Sequence, residues 1–136
     1  MYGCAEGKIH DEEYILAILN ELPDILGMHK ISEPAVLNYP GKEDSFDKGG
    51  VSAFVIIAES HISVHTFKQQ KFASLDMFSC KEFDVDRAVD YIKAKFRPKK
   101  IEKNLTMRGR EFPKDVEKVK VIMKKERPKT ETHIQE

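Results

Sequence analysis

Three short strand-like runs follow one another between Ser52 and Cys80, and they restrict the fold more than any other feature of the chain. Ser52-Ala53-Phe54-Val55-Ile56-Ile57-Ala58 is apolar and rich in β-branched residues, the pattern of a strand buried on both faces. His61 to Thr66 alternates as a half-buried strand does. Phe72 to Cys80 alternates too, with Ala73, Leu75 and Met77 on one side and Ser74, Asp76 and Phe78 on the other. The polar Lys68-Gln69-Gln70-Lys71 reads as a turn between the last two runs. Strands joined by such short links are most simply an antiparallel meander.

Helical patterns flank this block. Asp11-Glu12-Glu13 precedes Ile15, Leu16, Ile18, Leu19 and Leu22, which is an acidic first turn followed by an apolar stripe; Pro23 marks the end and Gly27 the exit. Asp84 can cap a second helix with the stripe Val85, Ala88, Val89, Ile92 and Phe96, closed by Pro98. Pro34 to Gly50 reads as loop with one short strand. Ile101 to Arg110 reads as a further strand, and Lys114 to Lys125 is open between helix and strand. Segregated runs of helix and strand predict an α+β two-layer sandwich, mainly antiparallel, with the helices on one sheet face. A single domain is expected over residues 1–125, with a polar, disordered tail over 126–136.

No apolar run approaches the roughly 20 residues of a membrane-spanning helix, and the first residues lack the pattern of a signal peptide. A cytoplasmic protein is expected, with no membrane partner. Cys4 and Cys80 are too few for a disulfide framework and lack metal-ligand spacing. Net charge is zero but unevenly spread: residues 1–92 hold 8 basic against 16 acidic residues, and residues 93–136 hold 15 against 7, or −8 and +8. The basic half is interspersed with acids, and Phe112 is the single aromatic residue of segment 97–129. That is not the basic, aromatic-interleaved surface of a nucleic-acid binder, so no nucleic-acid partner is expected.

Chemistry-bearing residues cluster on the strand block: Ser52, Glu59-Ser60-His61, His65-Thr66 and Cys80. Taken alone, each has a bland reading as a hydroxyl bonded to backbone, a structural histidine or a small buried thiol. Strict alternation also sets Ser60 and His65 on opposite faces of the sheet, so a bulge or a chain break would have to bring them together.

The stretch Gly49-Gly50-Val51-Ser52, then Glu59-Ser60-His61-Ile62-Ser63-Val64-His65-Thr66, then Phe78-Ser79-Cys80, resembles the processing region of prokaryotic pyruvoyl-dependent S-adenosylmethionine decarboxylase proenzymes. The resemblance implies self-cleavage between Glu59 and Ser60 into a β chain of residues 1–59 and an α chain from residue 60. Ser60 would become a pyruvoyl group, the cofactor that forms a Schiff base with the substrate. It implies His65 as the processing proton-transfer residue, Ser52 as a hydroxyl assisting processing, and Cys80 as the proton donor in decarboxylation. A thiol is mostly protonated at neutral pH, as a general acid requires. Cys4 matches none of these positions and reads as structural.

Substrate contacts are implied at Phe46, by stacking on adenine, and at Ile62, through its backbone. At position 69 the family has a glutamate that binds the ribose hydroxyls, and this chain has Gln69. The small-molecule substrate implied is S-adenosylmethionine, decarboxylated for spermidine synthesis. Gln69 leaves open a paralogue acting on arginine or ornithine, and an unprocessed, non-catalytic module is a third reading. The resemblance further implies a homodimer of αβ protomers and, for so short a form, no metal.

Overall fold

A computed structural model describes residues 1–58 and 60–108. The cleavage position Glu59, the segment 114–125 and the tail 126–136 lie outside the described residues. Residues Met1–Lys103 form one compact unit; Asn104 begins a second, which is described only as far as Arg108.

In the first unit, α1 (Glu12–Ile25) precedes β1 (Ala35–Tyr39), β2 (Gly50–Ile57), β3 (Ser60–Phe67) and β4 (Phe72–Ser79), and α2 (Val85–Phe96) follows. Helix α1 starts where the Asp11 carboxylate accepts the Tyr14 N–H at 3.1 Å, and α2 where Asp84 accepts the Arg87 N–H at 2.9 Å. Each cap satisfies one amide that the first turn leaves without a helical partner. Helix α2 ends at Arg97, which takes a left-handed conformation (φ 44°) just before Pro98.

The four strands form one antiparallel meander in the order β1-β2-β3-β4. Alternation sends Val51, Ala53, Val55, Ile57, Ile62, Val64 and Ala73 to one face, where they pack with Ile15, Ile18, Leu19 and Leu22 of α1 and Ile92 and Phe96 of α2. Each such side chain fully removed from water contributes about 1.5–3 kcal/mol. Cys4 joins this core at 2% exposure, and burial pushes its thiol pKa up, as the structural reading expects. The two helices are also tied directly. The Glu21 carboxylate is bonded by Lys95 Nζ at 2.7 Å and by the Tyr91 hydroxyl at 2.6 Å. Lys95 first, then Tyr91, hold the Glu21 carboxyl below the usual carboxylate range. A depressed folded pKa means this tie is intact at neutral pH and is lost as acid titrates the carboxylate. The α+β two-layer sandwich is therefore the observed fold.

Two expectations are corrected. Strand β2 is buried on one face only: Phe54 and Ile56 on the other face are each 41% exposed, because both helices pack on the same side of the sheet. The expected strand from Ile101 is absent over residues 101–108, where a single bridge joins Lys100 to Tyr2. The ladder does not continue past that bridge, so the described residues after Lys100 form no strand.

Candidate active site

Gly50, Val51 and Thr66 build the first half of the site. A Cβ on Gly50 would collide with the Thr66 carbonyl oxygen, so only glycine lets β2 and β3 approach there. Thr66 is a polar side chain buried at 4% exposure, and its hydroxyl accepts the Val51 N–H at 2.8 Å. With β2 pinned at its start, the ladder sets Ser52 directly opposite His65, both on the uncovered face. Ser52 Oγ lies 3.0 Å from His65 Nδ1. A hydroxyl on one ring nitrogen fixes the orientation of the imidazole and leaves the other nitrogen for proton transfer. Thr66→Val keeps the shape but orphans the buried Val51 N–H. It is expected to cost about 1–3 kcal/mol in urea unfolding and to loosen the Ser52–His65 pair.

The second half lies at the opposite end of β3. Ser60 pairs with Ile57 and Ser79, and its Oγ accepts the Cys80 N–H at 3.2 Å. The serine and the cysteine, twenty residues apart in the chain, thus meet because β3 and β4 pair without interruption. The Cys80 thiol is exposed. Beside this end, on the uncovered face, His61 stacks on Phe54 (centroids 5.4 Å apart), contacts Phe78 (5.8 Å) and sits 3.7 Å from an Asp76 carboxylate oxygen. Motif reasoning assigned His61 no role; register would have placed it with these partners.

The structure brings Ser52 to His65 and Ser60 to Cys80 but does not unite the pairs. Neither ladder contains a bulge: β2–β3 pairs without a break from Ser52–His65 to Ile57–Ser60. Ser60 and His65 are therefore on opposite faces and about 17 Å apart along one strand. Phe46 and Gln69 fall at the His65 end. Phe46 is 81% exposed, touches the Phe67 ring at 6.5 Å, and its carbonyl accepts from Gln70 Nε2 at 2.9 Å. Gln69 is exposed in the β3–β4 turn. Ile62 is near Ser60, with its side chain fully buried in the core, so only its backbone can reach a ligand. Among the described residues, no three His, Cys, Asp or Glu side chains are grouped to hold a metal ion, and no helix is long and apolar enough to cross a membrane.

Residues 1–109 match the family described as S-adenosylmethionine decarboxylase. The S-adenosylmethionine decarboxylase proenzyme of Pyrobaculum neutrophilum is 33% identical over 103 residues, 75% of this chain and 77% of the relative. The arginine decarboxylase proenzyme of Pyrobaculum arsenaticum is 34% identical over 110 residues, 80% of this chain and 79% of the relative. Among solved structures, the adenosylmethionine decarboxylase of Aquifex aeolicus superposes with a TM-score of 0.57 at 26% identity, covering 80% of this chain and 88% of that one.

Proposed function

The chain belongs to the S-adenosylmethionine decarboxylase family, and we propose that it is a pyruvoyl-dependent decarboxylase that makes its own cofactor at Ser60 and acts on S-adenosylmethionine. The observation that supports this best is the division of the chemistry-bearing residues into two preformed pairs, Ser60–Cys80 and Ser52–His65, at the two ends of one strand.

Each pair suits one part of the chemistry. The Ser60 hydroxyl attacks the Glu59 carbonyl carbon, and the peptide nitrogen leaves as the new ester forms. Holding nucleophile and carbonyl in one chain makes that step intramolecular. His65, oriented by Ser52, takes the Ser60 α-proton, and β-elimination breaks the ester to release the Glu59 carboxylate and leave dehydroalanine. Water then replaces the nitrogen, which departs as ammonia, and the pyruvoyl group remains. When present, that group supplies the electron sink for loss of carbon dioxide. Cys80, whose backbone N–H contacts Ser60, would return a proton to the substrate carbon.

A dimer would close the distance between the pairs. A two-fold dimer that brings the His65 end of β3 in one chain to the Ser60 end of β3 in the other would form two composite sites. Phe46 and Gln69 travel with His65, so substrate recognition is shared between protomers in the same way. The half-exposed Phe54 and Ile56 of the uncovered face favour a partner of some kind, since burying them removes apolar surface from water.

Arginine is the second substrate reading, motivated by Gln69 and by a relative of similar identity named as an arginine decarboxylase proenzyme. Carbon dioxide release from S-adenosylmethionine, arginine and ornithine separates these readings; turnover of an amino acid alone overturns the first. On the favoured reading, Gln69→Glu restores a charged acceptor for the ribose hydroxyls. It is expected to raise kcat/KM for S-adenosylmethionine by about 5- to 10-fold.

A further inference from the structure

A cavity of about 160 Å³ opens at the His65 end of the sheet, between the segment before α1, the end of β1 and the start of β2. Its lining includes His10, Asn38, Lys48, Gly49 and Lys68, and no carboxylate. At roughly 30 Å³ per water molecule it holds about five waters, enough space for a small ion and part of its hydration. The charged groups among its lining residues are all cationic. Lys48 and Lys68 bring ammonium groups and Asn38 an amide. Lys48 Nζ also donates to the Glu43 carbonyl, which uses one of its three donors. His10 Nδ1 is buried with no hydrogen-bond partner, a costly arrangement unless something fills the cavity.

Two of the neighbouring carboxylates, Asp47 and Glu6, are engaged elsewhere. Asp47 accepts the Gly49 N–H at 2.9 Å, and Glu6 is bonded to Lys71. Burial and the Lys68 charge both hold the His10 imidazole below its usual pKa, with the Glu6 charge opposing them. The local field is therefore one an anion would relieve.

We propose that this cavity is a binding site for a tetrahedral oxyanion of the phosphate class, held by Lys48, Lys68 and His10. The two lysines come from segments already in contact, since the Lys68 N–H donates to the Gly49 carbonyl at 3.0 Å. An anion between them would tie the loop carrying Phe46 to the turn carrying Gln69. Neither Ser52 nor His65 lines the cavity, although Gly50 and Val51 border both, and its occupancy can be measured whether or not the protein is a decarboxylase.

Phosphate stabilises folded proteins generally by exclusion from their surface, so a shift in melting temperature is a poor probe. Residue-resolved NMR avoids this. Inorganic phosphate is titrated into the full chain at constant ionic strength, and the His10 ring and the Gly49 and Gly50 amides are followed. The expected result is saturable binding localised to those signals. Lys48→Ala/Lys68→Ala should weaken it at least about tenfold, as expected when charge-assisted hydrogen bonds are lost, while Lys68→Arg should retain it. Shifts that grow linearly, that sodium chloride reproduces, or that survive in the double alanine variant overturn the proposal. Glycerol phosphate, titrated in parallel, identifies the source: tighter binding than inorganic phosphate supports an ester phosphate, and equal or weaker binding supports the free ion.

Discussion

Ser60→Ala is expected to leave the protein as one uncut chain with no measurable decarboxylation of S-adenosylmethionine. Without the hydroxyl there is no ester, no elimination and no pyruvoyl group, and nothing else in the described chain offers an equivalent electron sink. Enzymes of all kinds accelerate their reactions by at least about 10⁶-fold, and the loss should be of that order. Mass spectrometry separates the outcomes. Wild-type protein should give two chains whose junction is Glu59–Ser60, the larger with a blocked N-terminus. The variant should show one chain at the mass of all 136 residues. A wild-type protein that stays intact, or a cut that survives in Ser60→Ala, overturns the reading. The variant should still fold, because Ser60 sits at a partly exposed strand end, outside the core, where its hydroxyl accepts the Cys80 amide. One such bond is worth about 1 kcal/mol.

Complementation between two inactive variants is the second large effect. His65→Ala alone should not be cut, since the residue that removes the Ser60 α-proton is gone, and Ser60→Ala alone cannot be. Co-expressed, they form mixed dimers in which one composite site has the intact Ser60 of the first variant and the intact His65 of the second. The His65→Ala chain should then be cleaved. In a symmetric dimer with random pairing, about half of those chains sit in mixed dimers. If the site were built within one chain, no mixture would be cut at all. Differential tagging shows which chain was cleaved, and complete absence of cleavage overturns the shared site while leaving the family chemistry intact.

Legibility differed sharply between elements. The start of α2 followed from Asp84, which caps it as expected. For α1 the acidic run Asp11-Glu12-Glu13 located the first turn, but Pro23, expected at the end, lies inside a helix that runs to Ile25. The β2–β4 meander followed from alternation and short links. The strand expected over 101–110 is not formed over 101–108, because a strand needs a continuing partner and the pairing with the N-terminal residues stops at Tyr2–Lys100. Nothing local to Ile101 carries that information. The uncovered face was missed for a related reason. The apolar run through Phe54 and Ile56 reads as doubly buried, yet which faces are covered depends on where α1 and α2 pack. His61 shows the same limit, since its neighbours Phe54, Asp76 and Phe78 lie on three different strands.

For the functional residues the division is the same. The sequence by itself determined which groups are present, Ser52, Ser60, His65 and Cys80, and the family that their spacing resembles. It also determined that Ser60 and His65 face opposite ways, because side-chain direction in a strand has a period of two whatever surrounds it. Only the tertiary structure decided which groups meet. Register set Ser52 against His65 and Ser60 beside Cys80, and kept the two pairs at opposite ends of β3. Register is a property of paired strands, fixed by the common burial of Val51, Val55, Ile62 and Val64 against the helices and by the Gly50–Thr66 contact. No single segment of the chain encodes it.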